Sequence, residues 1–227
     1  MADPVQLHGY RYSVYNRIAR LALLSKEVEH ETIEVNPFDE LSEAYLTLNP
    51  FGRVPVLTHG TFTLFETSAI TRYVDRTFKG RPLQPEGPVA LARMDQVIAV
   101  IDAYGYWPMV RQVASHAFFR PLMGEPSSRE EVEKGLEASK KILSFLDGVT
   151  AEGEVLTGRA ITLADCHLAP MIDYFVGAEE GKAALSAHAA LQRYWDQVSD
   201  LDILKATDPF AVETAGDRSV DRDQAGT

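Results

Sequence analysis

The sequence predicts a two-domain chain. An α/β domain with a mixed four-stranded sheet occupies residues 1–80, and an all-helical domain occupies residues 88–210. Three observations support this. Strand and helix patterns alternate up to about Gly80, and helical periodicity alone follows. Residues 79–88, KGRPLQPEGP, are rich in proline and glycine, the composition of an inter-domain linker. The chain has 227 residues, 45% hydrophobic and 24% charged, enough for one large or two small domains. No internal repeat is visible.

The elements follow in order. Residues 5–9 read as a short strand, and Gly9-Tyr10-Arg11-Tyr12 as a loop. Ile18, Leu21, Ala22 and Leu24 predict a helix over 13–25. Residues 30–35 contain β-branched Thr32 and Ile33 and read as a strand, which Asn36-Pro37 breaks. Leu41, Ala44, Tyr45 and Leu48 share one face of a weaker helix over 39–48. A strand over 54–58, a two-residue link at His59-Gly60 and a strand over 62–65 form a hairpin. Glu66-Thr67-Ser68 opens a helix with Ala69, Ile70, Tyr73, Val74 and Phe78 on its apolar face. A strand–helix–strand unit makes a parallel pair and the hairpin adds an antiparallel one, which is the thioredoxin-like order.

In the second half, Met94, Val97, Ile98 and Ile101 mark a long helix from Val89 that Pro108 should kink or end. Ser127-x-x-Glu130 is a capping box opening a helix to about residue 146, through Val132, Leu136, Ile142 and Leu143. Thr162 caps a further apolar helix, with Asp165 at its third position. A last helix covers about 188–199, and the polar tail over 211–227 is expected to be disordered.

Composition narrows the function. A formal net charge of −11 without a basic cluster argues against a nucleic-acid partner. No apolar run approaches the roughly 20 residues of a membrane span. The N-terminus, Met1-Ala2-Asp3-Pro4, lacks a leader pattern. A single cysteine, Cys166, excludes an intrachain disulfide and a Cys-x-x-Cys pair, and the expected compartment is the cytoplasm. No metal-ligand spacing and no phosphate-binding loop are present.

The chemistry concentrates in residues 49–57, NPFGRVPVL, and 62–70, FTLFETSAI. Val54-Pro55 is a candidate cis peptide; the local alternative is an ordinary trans proline. A cis bond there frees the Val54 backbone to grip an extended peptide-like ligand as an added strand does. The N–H groups at the start of the following helix attract a carboxylate. This pairing resembles the glutathione-binding half of the glutathione transferases. The family pattern is N-P-x-G-x-V-P-x-L, a strand, and F-E-S-x-A-I. Thr67 stands here for the serine and keeps its hydroxyl. The Thr162–Asp165 box resembles the family's S/T-x-x-D box, whose role is folding. The resemblance spans residues 5–205, and the loop from Gly9 to Ser13 looks most like serine-type bacterial and plant phi-like members.

The resemblance implies a cytoplasmic detoxification enzyme that conjugates the glutathione thiolate to small apolar electrophiles. Glutathione would be its co-substrate, no metal would be needed, and the chain would act as a homodimer with Phe51 docking on the partner. Serine-type members carry the catalytic hydroxyl four residues after the glycine ending the first strand, which is Ser13 here. A free thiol, pKa about 8.5, is mostly protonated at neutral pH, and a hydroxyl donor at a helix N-terminus favours its thiolate. Ser13 as a plain helix cap is the structural alternative, and Tyr12 and Tyr10 compete as the activating hydroxyl. Arg53, Val54, Pro55, Glu66 and Thr67 would bind glutathione, Arg53 being the candidate for its glycine carboxylate. Tyr12, Tyr106, Trp107, Val110 and Phe118 would line the electrophile site, although an aromatic-rich helix also supplies core residues. Cys166 and His167 read as structural. Two other functions remain open: glutathione-dependent peroxide reduction and a non-catalytic assembly module.

Overall fold

A computed structural model describes residues 3–211; the tail expectation, from 212 on, lies outside the described residues. Strands β1 (Val5–Gly9), β2 (Glu31–Glu34), β3 (Val56–His59) and β4 (Phe62–Phe65) form one sheet in the order β2-β1-β3-β4. β1 and β2 are parallel, and the other two pairings are antiparallel. Helices α1 (Val14–Ser25), α2 (Glu43–Leu48) and α3 (Thr67–Thr77) complete this half, with α1 packed against α3. Several boundaries differ from the sequence reading, and β3 starts at Val56, after Pro55, rather than at 54. α2 starts only after Ser42, whose Oγ accepts the Tyr45 N–H at 3.2 Å, so capping chemistry overrides the apolar spacing upstream. The hairpin link is Gly60-Thr61, because His59 still pairs with Phe62, and Gly60 at φ 58° supplies the left-handed backbone of the turn.

The helical half comprises α4 (Pro88–Val100), a π-helical segment (Ile101–Phe119), α5 (Arg120–Leu122), α6 (Arg129–Glu152), α7 (Leu163–Val176), α8 (Glu179–Ser186), α9 (Ala189–Val198) and α10 (Asp202–Lys205). Of the two outcomes expected at Pro108, a kink or an end, the helix does not end there. The backbone continues in the wider π form, with Pro108 inside it and buried. α6 packs closely against this segment because Gly135 has no side chain: a Cβ there would lie 2.8 Å from the Pro108 carbonyl oxygen. The α6 cap also shifts by one residue. Ser128 Oγ accepts the Glu131 N–H, while Ser127 Oγ donates to the His116 carbonyl at 2.6 Å. α6 ends at Gly153 in the left-handed conformation, φ 77°. The Thr162–Asp165 capping box forms as expected: the Asp165 carboxylate accepts the Thr162 N–H at 2.7 Å, and Thr162 Oγ1 accepts the Asp165 N–H. α8 and α10 have no counterpart in the sequence reading.

A single apolar core runs through both halves, from Leu7, Ile18, Leu57 and Ile70 to Met94, Ile101, Leu168 and Phe175. α7 is its centre, with Leu163, Cys166, Leu168, Met171, Ile172 and Phe175 all fully buried. Polar clamps fix the halves together. The buried Lys26 Nζ sits 3.2 Å from Asp75 Oδ1, and Asp75 also accepts the Leu83 N–H and the Gln84 side-chain amide at 2.8 Å each. The inter-domain connection is therefore pinned to α3. Arg17, fully buried on α1, pairs with Asp173 at 2.7 Å and donates to Thr207 Oγ1 and the Leu204 carbonyl. Such a pair is costly to break, since the surviving charge is left buried.

Candidate active site

Strand register locates the site. His8 lies opposite Val56, and Val56 opposite Phe65. β3 runs against both neighbours, so the end of β1, the start of β3 and the end of β4 share one edge. With strands spaced about 4.8 Å, three connections leave the sheet within roughly 10 Å of each other.

The first connection joins β1 to α1. Gly9 is required here, because a Cβ would sit 2.1 Å from Asn16 Oδ1. Asn16 folds the loop by donating to the Tyr10 carbonyl at 3.2 Å, and the Ser13 N–H donates to the same carbonyl at 2.9 Å. Ser13 is half-buried and caps α1, its Oγ accepting the Asn16 N–H at 3.3 Å. The cap uses a lone pair, so the hydroxyl proton remains available to an acceptor in front of the helix.

The second connection is the proline loop. The Val54–Pro55 bond is cis. Asn49, almost fully buried, organises the loop: Oδ1 accepts the Phe51 N–H at 3.1 Å and Nδ2 donates to the Arg53 carbonyl at 2.9 Å. The Tyr45 hydroxyl donates to that carbonyl at 2.6 Å. The Arg53 backbone is thus locked, while its side chain is exposed and has no acidic partner among the described residues. The Val54 N–H and C=O likewise have no hydrogen-bond partner among the described residues.

The third connection opens α3. Glu66 sits at φ 71°, unusual for a residue with a side chain, and its carbonyl accepts the Ala69 and Ile70 N–H groups at 2.9 Å. Its side chain is exposed and makes no cap bond. The N–H groups of Thr67 and Ser68 therefore have no acceptor among the described residues, and they face outward with the positive end of the helix dipole. Thr67 itself is buried.

Beside this edge stands an aromatic wall. Tyr12 stacks on Phe210 at 5.5 Å and meets Phe119 edge-on at 5.3 Å. Phe210 also touches Phe118 at 5.1 Å and Tyr174 at 5.6 Å, and the Tyr174 hydroxyl donates to the Tyr12 carbonyl at 3.2 Å. Of the five residues expected at an electrophile site, Tyr12 and Phe118 share this cluster. The other three are not part of it. Tyr106 packs on Tyr15 at 4.8 Å, Val110 is in the core, and Trp107 is 60% exposed with no ring contact among the described residues. Phe210 was missed; its signal is a lone aromatic just before the chain turns polar.

Burial, then Tyr12 and the acids Glu34, Glu125 and Asp39, push the Tyr10 phenol upward, so it stays a neutral donor. Cys166 is fully buried on α7, and burial drives its thiol well above the usual range, which makes it inert. His167, also buried, lies 3.3 Å from Asp102 Oδ1 and 3.4 Å from Thr71 Oγ1, a structural bridge. Among the described residues, no group of three or more potential ligands could hold a metal ion.

A mixed sheet with a hydroxyl-capped first helix, a cis-proline loop and an uncapped helix start, joined to a helical bundle, defines the two-domain thioredoxin-like class. Comparison with known proteins narrows the class. The glutathione S-transferase N-terminal domain model matches residues 7–82, and the C-terminal domain model matches residues 110–202. A glutathione S-transferase of Hyoscyamus muticus is 30% identical over 179 residues, 77% of this chain and 84% of the relative. Glutathione S-transferase F13 of Arabidopsis thaliana is 31% identical over 176 residues, 76% and 80% of the two chains. The solved structure of glutathione S-transferase III in its apo form superposes with a TM-score of 0.78 at 24% identity, covering 90% of this chain and 95% of that one. Glutathione S-transferase I from maize, in complex with an atrazine glutathione conjugate, gives 0.77 at 23% identity, covering 90% and 96%. The chain belongs to the glutathione S-transferase family, and its plant relatives are of the F, or phi, class.

Proposed function

We propose that the protein is a glutathione transferase that attacks small apolar electrophiles with the glutathione thiolate. The observation that carries this reading is the convergence on one sheet edge of Ser13, the unpaired Val54 backbone and the uncapped α3 start. Glutathione offers complementary groups: a thiol, a peptide-like middle and a γ-glutamyl end with a carboxylate and an amine. In this pose the middle pairs with Val54 beside Pro55, as in strand addition. The γ-glutamyl carboxylate takes the Thr67 and Ser68 N–H groups and the Thr67 hydroxyl, and Glu66 faces the α-amino group. Arg53 is the cation available to the glycine carboxylate. The Ser13 hydroxyl then donates to the sulfur, and the α1 dipole favours its negative charge.

The thiol proton passes to solvent water, the sulfur's lone pair forms the new bond to the electrophilic carbon, and the leaving group departs with its electron pair; in an epoxide the C–O bond opens instead and its oxygen takes a proton from water. The wall of Tyr12, Phe118, Phe119 and Phe210 supplies the apolar surface for that partner. The maize enzyme in complex with an atrazine conjugate is consistent with a bulky electrophile on this fold. Tyr106, packed on Tyr15, and exposed Trp107 remain in the proposal only as further residues of the same segment, and Val110 only as core packing behind it. The reading extends to a detoxifying role in the cytoplasm, and Phe51, 68% exposed on the proline loop, is suited to docking in a second copy.

Retention on immobilised glutathione followed by a conjugation assay over a panel of aryl, alkyl and epoxide electrophiles tests the reading. Retention and turnover support it; a chain that neither binds nor conjugates glutathione overturns it and supports the assembly-module reading.

A further inference from the structure

The start of α3 is poorly supported from within its own half. Glu66 holds a left-handed backbone, no side chain caps the helix, and the first free N–H groups belong to Thr67 and Ser68. Something else must fix the orientation of this turn. Two α3 side chains, Thr71 and Arg72, meet at one atom, the Ser68 carbonyl oxygen, and each is tied in turn to the helical half.

One anchor is buried. Thr71 Oγ1 lies 3.3 Å from the Ser68 carbonyl oxygen and 3.4 Å from His167 Nε2, and both Thr71 and His167 are fully buried. His167 Nδ1 lies 3.3 Å from Asp102 Oδ1 on the π segment. The Thr71 hydroxyl has one proton and donates it to the Ser68 carbonyl, which leaves Oγ1 to accept from His167 Nε2 while Nδ1 faces the Asp102 carboxylate. The chain of bonds thus runs from His167 through Thr71 to the Ser68 carbonyl. The second anchor is at the surface. Arg72 Nη1 donates to the same Ser68 carbonyl at 3.1 Å, and its Nη2 pairs with Asp95 of α4.

We propose that His167 of α7 is a positioning residue for glutathione: through Thr71, and alongside the Arg72–Asp95 pair, it orients the α3 turn whose N–H groups take the γ-glutamyl carboxylate. The inference rests on the glutathione pose above. It makes the helical half a contributor to thiol-substrate affinity, in addition to its place beside the electrophile. Preorganising a donor pair from a rigid neighbouring helix removes an ordering cost from binding.

The test uses the full chain and measures glutathione Kd by calorimetry, with kcat, both KM values and Tm. Thr71→Val and His167→Leu should each weaken glutathione about 3- to 10-fold, as expected for a lost neutral hydrogen bond. The double variant should be no worse than the larger single effect, because both break one chain. The KM for the electrophile should stay unchanged, and S-methylglutathione should weaken by the same factor, since the thiol is not involved. His167→Gln, which keeps a polar group facing Thr71, should recover most of the affinity. Asp165→Ala destabilises the same helix and should leave Kd unchanged, which separates positioning from stability. Arg72→Gln, at the surface, does not threaten folding and should weaken glutathione in the same direction. Wild-type Kd in Arg72→Gln and in folded Thr71→Val or His167→Leu overturns the inference. Amide shifts of Thr67 and Ser68 during titration of the wild-type protein test the pose separately. If glutathione binds without moving them, the pose itself is wrong and the inference falls with it.

Discussion

Replacing Ser13 examines the proposed mechanism most directly, because the side chain has two separable roles. As a helix cap its Oγ accepts the Asn16 N–H at 3.3 Å. That bond is long, so its loss in Ser13→Ala should cost stability near the low end of the usual 0.5–2 kcal/mol. As a thiolate donor the hydroxyl makes a charge-assisted bond, worth about 1.5–3 kcal/mol. At about 1.4 kcal/mol per tenfold, Ser13→Ala should slow conjugation roughly 10- to 150-fold at neutral pH. The donor stabilises only the ionised sulfur, so its removal should raise the bound thiol pKa by about 1–2 units. Activity should therefore recover as pH rises through the new pKa. Ser13→Gly separates the roles: glycine caps almost as well as serine, so stability is kept while the rate still falls. The assay is stopped-flow thiolate absorbance with bound glutathione, steady-state rates from neutral to alkaline pH, and binding of an S-alkylated glutathione, which should not change. Tyr12→Phe removes a phenol and keeps the ring in its stack on Phe210. The reasoning is refuted if Ser13→Ala leaves rate and thiol pKa as in the wild type while Tyr12→Phe abolishes activity.

Thr67→Ala should chiefly raise the glutathione KM, because the γ-glutamyl end is held equally in ground and transition states; a fall in kcat alone would contradict uniform binding. Asp165→Ala should lower the denaturation midpoint by the equivalent of about 0.5–2 kcal/mol and leave activity per folded molecule intact, whereas an unchanged midpoint would show the capping box to be energetically silent. Burial opposes ionisation of Asp75, but its bonds from Gln84, Leu83 and Lys26 prevail and hold its carboxyl below the usual range. A depressed carboxyl stabilises the fold above the unfolded value, near pH 4, and that contribution is lost as pH falls through the folded value. Asp75→Ala, which leaves the buried Lys26 uncompensated, should cost about 3–5 kcal/mol at pH 7 and flatten the acid side of the stability profile; an unaltered profile would show the clamp to be inert. Phe51→Asp should dissociate a dimer toward the 25.2 kDa protomer in sedimentation, and a wild-type protein already at that mass would remove the dimer from the proposal.

Sequence alone determined the parts of this protein that depend on neighbours a few residues away. The Thr162–Asp165 box, the cap at Ser13, the hairpin and the parallel first unit are local chemistry, and each appears in the structure. The proline loop was legible for the same reason: Asn49 folds it through bonds to Phe51 and Arg53, within four residues. Where two signals lay close together, local reading went astray by a few residues. Ser127 and Ser128 were equivalent in sequence, and only packing sent the first to His116 and the second to the helix. Pro108 reads as a breaker to any local rule, but tertiary packing against Gly135 of α6 accompanies a π-helical backbone that continues through it. The tertiary structure alone decided which aromatics meet. Phe210 reaches Tyr12 across almost the whole chain, while Trp107, on the segment that looked most like a pocket, points to solvent. The same holds for His167, whose partners Thr71 and Asp102 lie 96 and 65 residues away. A hydrogen bond between residues so far apart imposes no periodicity and no spacing on either. It exists only because the shared core brings α3, the π segment and α7 together, and the core depends on apolar volume, which many arrangements of residues satisfy equally well.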